Sequence, residues 1–525
     1  MPRFTFALSC FALAVAAGLV GSGAALAAPS EQAIGQSIQR AMEEFQVPGM
    51  AVSVVHEGDI YYAAGHGVLE AGKHGKVDDR TLFQIGSVSK AFTAATLALL
   101  ADEGKLEWDA PVIDYLPEFR MHDAWVTREF TLRDLLTHRS GLPLGAGDLL
   151  IFPEGKTSHA EVVHAMRYFE PVSSFRAKFD YDNLLYIVAG EVVARVSGMP
   201  FEDFLEQRLL SPLGMSDCSA TLERAAPDAA RATPHVLVDG ELQTTRSGIT
   251  PVAAAAGGIN CSARSMTRWL SFVLAKGVLP DGTQLISAAQ FSQLLNPVTL
   301  LPSPAYLVEH AGSYLNAYAL GWNVSTFYGQ PALSHGGGVV GMTAFVMLLP
   351  KQGLAVFAGG NQMSAAPRAI VNDIVDQFLA GQAQNAGKDW TAIISGLVKS
   401  GQDAGADAVA KAMEARDADS RPSLPLERYV GSYRDPWYGN IRITLEDDGA
   451  LWFYSERNEP LQGPLEHFQY DSFIARWTDR RLNADAYVSF TLTPQGGVEG
   501  IRMKAVSPTT DFSFDFHDLD LRRVD

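Results

Sequence analysis

Hydrophobic positions near the start of the chain follow two different spacings. Residues 31–45 carry apolar side chains three or four positions apart, which predicts an amphipathic helix. Residues 50–55 and 60–64 are short apolar runs on either side of the polar turn 57–59, which predicts a β-hairpin. Residues 89–100 are rich in Ala and Leu, a composition typical of a buried helix.

Strand-like apolar runs return after a long central region. Between about 116 and 300 the pattern is mainly helical, with Gly- and Pro-rich loops, and a further helix is predicted over 369–379. Four late runs predict strands: 319–324, 332–335, 343–349 and 354–358. Because strands stand at both ends of this region, we predict an α+β fold in which one antiparallel sheet, flanked by helices, closes from the two ends of the chain.

Composition changes after the last of these elements. Residues 381–424 are rich in Ala, Gly, Asp and Gln, which predicts a linker with some helix. Over 425–525, short alternating runs such as 441–445 and 451–454 are separated by turn signals, which predicts an all-β, barrel-like domain. Residues 28–380 are therefore expected to form the main domain.

The first 27 residues have the pattern of an export signal. Arg3 is followed by an apolar run over 4–20 and by an A-x-A-like cleavage site at 25–27. We therefore expect a signal peptide over 1–27 and an exported chain, periplasmic or secreted; an uncleaved anchor helix is the alternative. No later stretch reaches the ~20 apolar residues that span a bilayer, so no stable membrane span is expected after signal removal.

Charge and cysteine content exclude some partners but name no substrate. The chain has 525 residues and a formal charge of −18. This acidic balance argues against nucleic acid and anionic membranes as partners, because both need clustered Lys and Arg. Cys218 and Cys261 follow the predicted signal; export permits a disulfide, but two inert buried thiols fit equally well. A homo-oligomer is compatible with the sequence.

A candidate nucleophile stands just before the Ala/Leu-rich helix. Ser87 and Lys90 form an S-x-x-K pattern and, at helical spacing, share one face of the first turn. A serine hydroxyl is a weak nucleophile until a base takes its proton, and a lysine becomes that base only if desolvation lowers its pKa. The helix N-terminus also presents N–H groups to a developing oxyanion. Taken alone, the pattern is more typical of a helix cap beside a surface lysine.

Two further segments carry candidate chemistry. Tyr181 and Asn183 precede a predicted helix; a phenol can relay a proton and an amide can bind a substrate carbonyl, but a packed loop tyrosine and a capping asparagine would look the same. His335 precedes three glycines, and Gly337 and Gly338 on a strand edge would let a substrate backbone approach. The alternative there is a Gly-rich turn beside a solvent-facing histidine.

In this order, the three segments resemble the motifs of the penicillin-recognising serine hydrolases: S-x-x-K, then Y-x-N, then a Lys/His-x-Gly strand. Residues 131–142, 212–215, 256–258 and 320–322 are similar to other landmarks of that group. The resemblance covers about residues 34–379. The group that the chain resembles contains class C β-lactamases, D-alanyl-D-alanine carboxypeptidases, D-aminopeptidases and related esterases. It implies a β-lactamase/penicillin-binding-protein-like fold with a helical subdomain beside the sheet.

The resemblance also implies a role for each candidate residue. Ser87 attacks a carbonyl and forms an acyl-enzyme, while Lys90 and Tyr181 transfer the protons. The residues expected to hold the substrate or its oxyanion are Asn183, His335, Gly337 and Gly338. The backbone N–H groups of Gly338 and Ser87 would together form the oxyanion hole. Asn183 would orient the substrate amide, and His335 would contact the substrate or the Tyr181 hydroxyl.

The third motif departs from the lysine of β-lactamases and carboxypeptidases. A histidine is largely neutral near neutral pH, so His335 holds a substrate carboxylate less well. We therefore predict a peptidase or amidase acting on small or D-residue-containing peptides. The alternatives are a carboxylesterase, a β-lactamase or penicillin-binding protein, and a non-catalytic binding protein. The sequence contains no G-x-S-x-G, H-E-x-x-H or P-loop pattern, which argues against an α/β-hydrolase, a zinc peptidase and a nucleotide enzyme. We expect neither a metal nor a cofactor.

The C-terminal domain carries a second resemblance. Residues 429–433 and 438–439 are similar to the lipocalin-like barrel appended to some peptidases of the same group. Its histidines, His467 and His517, have no catalytic partner nearby in sequence. We therefore expect this domain to border the active site and limit substrate size rather than perform chemistry.

Overall fold

The computed structural model describes residues 28–524 apart from 382, 384 and 385, so the predicted signal peptide lies outside the described residues. Its helices are α1 (Glu31–Glu44), α2 (Ser89–Asp102), α3 (Ala124–Glu129), α4 (Leu132–Leu135), α5 (His159–Ala165), α6 (Leu184–Ser197), α7 (Phe201–Leu205), α8 (Ala263–Leu274), α9 (Ala288–Leu295), α10 (Ala305–Ala311), α11 (Ala366–Leu379) and α12 (Trp390–Glu414). Its strands are β1 (Gly49–His56), β2 (Asp59–Gly67), β3 (Phe83–Gln84), β4 (His235–Val238), β5 (Glu241–Thr244), β6 (Asn260–Cys261), β7 (Thr299–Leu300), β8 (Asn316–Tyr318), β9 (Asn323–Phe327), β10 (Gln330–Val339), β11 (Met342–Leu349), β12 (Leu354–Gly360), β13 (Gly431–Asp435), β14 (Gly439–Leu445), β15 (Leu451–Ser455), β16 (Gln462–Gln469), β17 (Ser472–Ala475), β18 (Ala486–Leu492), β19 (Val498–Ala505) and β20 (Leu521–Arg523).

The main sheet is antiparallel and has eight strands in the order β2-β1-β12-β11-β10-β9-β8-β7. Strand β1, from the start of the main domain, pairs with β12 from its end, so that Met50 lies opposite Gly360. This pairing confirms the predicted α+β sheet closed from both ends of the chain.

One predicted strand is divided in the structure. Residues 319–322 of the apolar run 319–324 form the turn between β8 and β9, because Gly321 adopts a left-handed φ of +79°, and only 323–324 lie within β9. A Cβ at Gly321 would lie 2.8 Å from the Ala91 backbone, so the turn packs closely against α2. The other three late runs lie within β10, β11 and β12.

Different helices cover the two faces of the sheet. Neighbouring side chains of β12 point to opposite sides. Val356 and Ala358 share a buried cluster with residues of α1 and α11, whereas Ala355 and Phe357 belong to the larger core formed with α2 and α6. The segment between β3 and β7, helices and loops together, contributes most of the residues of that larger core and contains the predicted helical subdomain.

Cys218 and Cys261 form a disulfide, which answers the question that the sequence left open. It joins the loop after α7 to strand β6. Among the described residues no single helix is long and apolar enough to cross a membrane, although the bent pair 184–197 and 201–210 passes by length and composition.

The segment predicted as a linker is largely a helix. Helix α12 has 25 residues, and the carboxylate of Asp389 caps its first turn by accepting from the Ala392 N–H. Trp390 is fully buried, and its backbone N–H donates to Asp373 of α11 at 2.8 Å. The helix therefore begins against the main domain.

The C-terminal strands β13 to β20 form a closed barrel. Antiparallel pairing continues around the circle and ends with β20 beside β13. Alternate side chains of its strands point inward, as Ile441 and Ile443 do in β14. This confirms the predicted all-β, barrel-like domain.

Candidate active site

Ser87 stands at the entrance to helix α2, as the sequence predicts. A short 3₁₀ turn over 86–88 precedes the helix, and Ser87 is partly exposed although Gly86 and Val88 are buried. Gly86 has a left-handed φ of +51°, and a Cβ there would lie 2.5 Å from the Gly338 nitrogen. Only glycine fits this conformation and this gap, so the turn exposes the serine while keeping β10 close.

Lys90 lies one turn along the helix and reaches the nucleophile. Its Nζ donates to Ser87 Oγ at 3.1 Å, to Asn183 Oδ1 at 2.7 Å and to the Ala256 carbonyl at 2.8 Å. The side chain is fully buried, and this burial lowers the pKa of Lys90 to about 7, although Asp148 and Asp182 act in the opposite direction. A general base works best when its pKa lies near the working pH. The predicted Ser–Lys pair is thus in a geometry and a charge state suited to proton transfer.

Tyr181 lies beside this pair as a neutral phenol. The Lys90 Nζ is 4.7 Å from the centre of its ring. Burial raises the pKa of Tyr181 well above its ordinary value, while the Ser87 hydroxyl acts in the opposite direction. A neutral phenol can donate a proton, so this arrangement favours Tyr181 as an acid.

Asn183 connects the lysine to a buried carboxylate. Its Oδ1 accepts from Lys90, and its Nδ2 donates to Asp148 Oδ2 at 2.8 Å. It occupies the N-cap position of α6, but its side chain makes no capping hydrogen bond. The observed role of Asn183 is therefore to hold Lys90. Its second N–H is the group that would serve the predicted contact with a substrate amide.

His335 hydrogen-bonds to Tyr318, and the centres of the His335 and Tyr181 rings lie 6.5 Å apart. Its Nε2 lies 2.7 Å from the Tyr318 hydroxyl, and its Nδ1 lies 2.6 Å from the Gly336 carbonyl. Because a carbonyl only accepts, Nδ1 carries the proton and Nε2 accepts from Tyr318. The ring is 3% exposed, and this burial lowers the pKa of His335 to about 3. A neutral, buried imidazole offers no positive charge to a substrate carboxylate.

The two candidate glycines bring strand β10 against the nucleophile. A Cβ on Gly337 would lie 1.9 Å from the Ile85 carbonyl oxygen and 3.0 Å from the Ser87 nitrogen. Gly338 is exposed, and a Cβ there would meet nothing nearer than Met363 Cε at 3.9 Å. This close approach places the Gly338 backbone next to that of Ser87, as an oxyanion hole requires.

Two buried carboxyl groups of the site were missed in the sequence. Asp148 is fully buried, and burial raises its pKa to about 7, against the opposing effects of Asn183, Ser513 and Lys90. Asp182 is also fully buried, and burial raises its pKa well above the ordinary value. The available signal was an aspartate directly before the apolar run 149–152. A buried charge needs a partner, and a sequence does not name that partner.

The barrel domain reaches the same site. Phe512 packs edge-on against the Tyr181 ring, with centroids 5.9 Å apart, and is 38% exposed. Ser513 Oγ donates to Asp148 Oδ2 at 2.8 Å. The Asp515 carboxylate accepts from backbone N–H groups of the segment 147–149. The barrel domain therefore contacts residues of the active site, although it lies more than 300 positions further along the chain. This agrees with the expectation that the domain borders the active site.

Comparisons with known proteins agree with this architecture. Residues 34–380 match the family model described as Beta-lactamase, and residues 415–523 match one described as a domain of unknown function, DUF3471. An unguisins hydrolase from Aspergillus campestris is 27% identical over 492 residues, which cover 89% of this chain and 88% of that protein. Penicillin-binding protein 4 from Amycolatopsis lactamdurans is 31% identical over 319 residues, which cover 59% of this chain and 80% of that protein.

Solved structures share the fold. The octameric penicillin-binding protein homologue from Pyrococcus abyssi has a TM-score of 0.60 at 21% identity and covers 87% of this chain and 96% of its own. SurE has a TM-score of 0.53 at 20% identity; the match covers 94% of this chain and 99% of SurE. A class C beta lactamase from Rhodobacter sphaeroides has a TM-score of 0.53 at 21% identity; the match covers 66% of this chain and 98% of the β-lactamase. Because the family model spans well over half of the residues and the Ser–Lys–Tyr site stands within it, the chain belongs to the β-lactamase family of serine hydrolases.

Proposed function

We propose that this chain is a serine peptidase or amidase that cleaves small or D-residue-containing peptides through an acyl-enzyme on Ser87. The contact between Lys90 Nζ and Ser87 Oγ, 3.1 Å long, carries the proposal, together with a pKa of about 7 for the lysine. Near neutral pH a large share of such a lysine is uncharged and can accept the serine proton.

Acylation follows from the positions of these groups. The neutral Lys90 amine takes the Ser87 proton as the oxygen attacks the substrate carbonyl. The N–H groups of Ser87 and Gly338 stabilise the oxyanion. When the tetrahedral intermediate collapses, Tyr181 gives its proton to the leaving nitrogen, and the Lys90 ammonium replaces that proton. In deacylation, water gives a proton to the same pair, and Ser87 Oγ regains a proton as it leaves.

The substrate class rests on charge and on relatives. The neutral His335 supplies no cation for a carboxylate, which argues against a carboxypeptidase or an efficient β-lactamase. One relative is named as an unguisins hydrolase, which supports hydrolysis, and SurE has been solved with D-Leu, which supports a D-residue in the substrate. A carboxylesterase would use the same nucleophile and base, so the choice of leaving group separates the two activities.

Phe512 supports the proposed limit on substrate size. It projects from the barrel side and contacts Tyr181, the group that protonates the leaving nitrogen. A substrate with a bulky leaving group must pass this ring. We therefore assign Phe512 to the boundary of the leaving-group side.

Export is part of the proposal. The disulfide between Cys218 and Cys261 supports it, because disulfides persist mainly in oxidising compartments. If the signal is removed as the sequence predicts, N-terminal sequencing of the protein from its host will begin at Ala28. A retained Met1 would instead favour an uncleaved anchor.

The function is tested with a substrate panel and a nucleophile variant. The purified chain is assayed against p-nitroanilides of D- and L-amino acids, p-nitrophenyl esters and nitrocefin. We expect hydrolysis of the D-residue anilides and covalent labelling by a fluorophosphonate probe, both lost in Ser87→Ala. Ester hydrolysis alone would support a carboxylesterase, and rapid nitrocefin turnover a β-lactamase. A folded wild type that neither reacts with the probe nor turns over any substrate would support a non-catalytic binding protein.

A further inference from the structure

A continuous series of hydrogen bonds joins the barrel domain to the catalytic lysine. Ser513 Oγ donates to Asp148 Oδ2 at 2.8 Å, and Asn183 Nδ2 donates to the same oxygen at 2.8 Å. Asn183 Oδ1 then accepts from Lys90 Nζ at 2.7 Å. Lys90 in turn donates to Ser87 Oγ. The series therefore crosses the domain boundary and ends on the nucleophile.

The barrel also holds the backbone that carries Asp148. The carboxylate of Asp515 accepts from the Gly147 N–H at 2.7 Å and from the Leu149 N–H at 3.0 Å. Asp515 is fully buried, so both hydrogen bonds are shielded from water. These two N–H groups flank Asp148. The barrel thus fixes the main chain on both sides of Asp148 and contacts its side chain through Ser513.

Asp148 has few other partners that could replace this contact. Its Oδ2 receives the hydrogen bonds from Asn183 and Ser513, while its Oδ1 is buried without a hydrogen-bond partner among the described residues. A buried carboxylate is stabilised mainly by the donors that point at it. Ser513 is one of two side-chain donors to this group, so its removal changes both the orientation and the charge of the carboxyl.

We propose that Ser513 is a positioning residue for Lys90: through Asp148 and Asn183 it keeps the lysine Nζ in place beside Ser87 Oγ. This inference rests on the proposed function, because it describes how the Ser–Lys pair is held. It gives the barrel domain a part in setting the reactivity of the nucleophile, in addition to limiting substrate size.

The direction of the expected effect follows from charge. The hydrogen bond from Ser513 lowers the pKa of Asp148, so it favours the ionised carboxylate. An ionised Asp148 in turn raises the pKa of Lys90. Loss of Ser513 leaves Asp148 more easily protonated and therefore lowers the pKa of Lys90. The other titratable groups facing this pair are unchanged by the substitution: Asp182, Asp511, Asp515, His138, His335, Tyr181 and Tyr186.

The test measures the rate of fluorophosphonate labelling of Ser87 against pH in the full-length chain. In Ser513→Ala we expect the acidic limb of the profile to move to lower pH by about 0.5–1 pH unit. The plateau rate should fall about 3–10-fold, because the lysine is held less firmly. Ser513→Thr keeps the donor and should restore the wild-type limb. Ser423→Ala removes a similar Ser–Asp hydrogen bond, to Asp471 at 2.8 Å, outside this series and should leave the profile unchanged.

A double-mutant cycle keeps the test decisive. Asp148→Asn removes the charge that Ser513 supports, so it should move the limb in the same direction, and adding Ser513→Ala to it should cause no further shift. An unshifted Ser513→Ala profile, or the same shift in the Asp148→Asn background, would overturn the inference while leaving the proposed function intact. A wild type that is not labelled at Ser87 would instead overturn the proposed function.

Discussion

Replacing Lys90 with arginine tests the proton-transfer scheme most directly. Lys90 is fully buried, and its pKa is lowered to about 7. At a pH equal to this pKa, Lys90 is neutral in about half of the molecules. A lysine with an ordinary pKa near 10.4 would be neutral in only about one molecule in 2,500 at pH 7. Burial therefore supplies the free base about 10³-fold more often. Arginine keeps the positive charge but stays protonated at every working pH, so it removes the base.

The assay is the pH dependence of kcat/KM for a small anilide. Because the deprotonated lysine is the active form, wild-type activity should rise with pH, with half-maximal activity near the pKa of about 7. Lys90→Arg should lose about 10²–10⁴-fold, the usual contribution of a general base, and should lose this limb of the profile. Lys105→Arg changes an exposed lysine paired with Glu103 and serves as the matched control. A flat wild-type profile between about pH 5 and 9, or an active Lys90→Arg enzyme, would refute the reasoning.

Three further outcomes are expected. Tyr181→Phe should reduce anilide hydrolysis about 10-fold more than p-nitrophenyl ester hydrolysis, because an amine leaving group needs a proton and a phenolate does not; equal losses would remove Tyr181 from the acid role. Gly337→Ala places a Cβ 1.9 Å from the Ile85 carbonyl and should lower the melting temperature, whereas Gly338→Ala has open space and should not; melting curves followed by circular dichroism compare the two. Phe512→Ala should raise kcat/KM for peptides with bulky leaving groups relative to small anilides, and an unchanged ratio would show that this ring does not limit substrate size.

Local patterns predicted the parts of this protein that depend on short stretches of chain. Hydrophobic spacing predicted α1, which buries one apolar face, and an Ala/Leu-rich composition predicted α2, which is buried nearly all round; both predictions agree with the structure to within a few residues at each end. The pair Ser87 and Lys90 needed only one helical turn to meet, so its geometry was implicit in the S-x-x-K spacing. The order of the three motifs was sufficient to indicate the fold.

Contacts between distant segments were decided by the tertiary structure. The hydrogen bond between His335 and Tyr318 could not be predicted from the sequence, and burial rather than residue type set the charge of His335. The pairing of the two cysteines also needed the fold, because 43 positions separate them.

The same limit applies to the polar groups around the lysine. In the sequence Asp148 is a single acidic residue before an apolar run. In the structure its carboxyl group accepts hydrogen bonds from Asn183 and from Ser513, which lies 365 positions away. Sequence spacing carries information about neighbours along a helix or strand. It carries none about which buried charge meets which donor, and those contacts partly offset the lowering of the Lys90 pKa by burial.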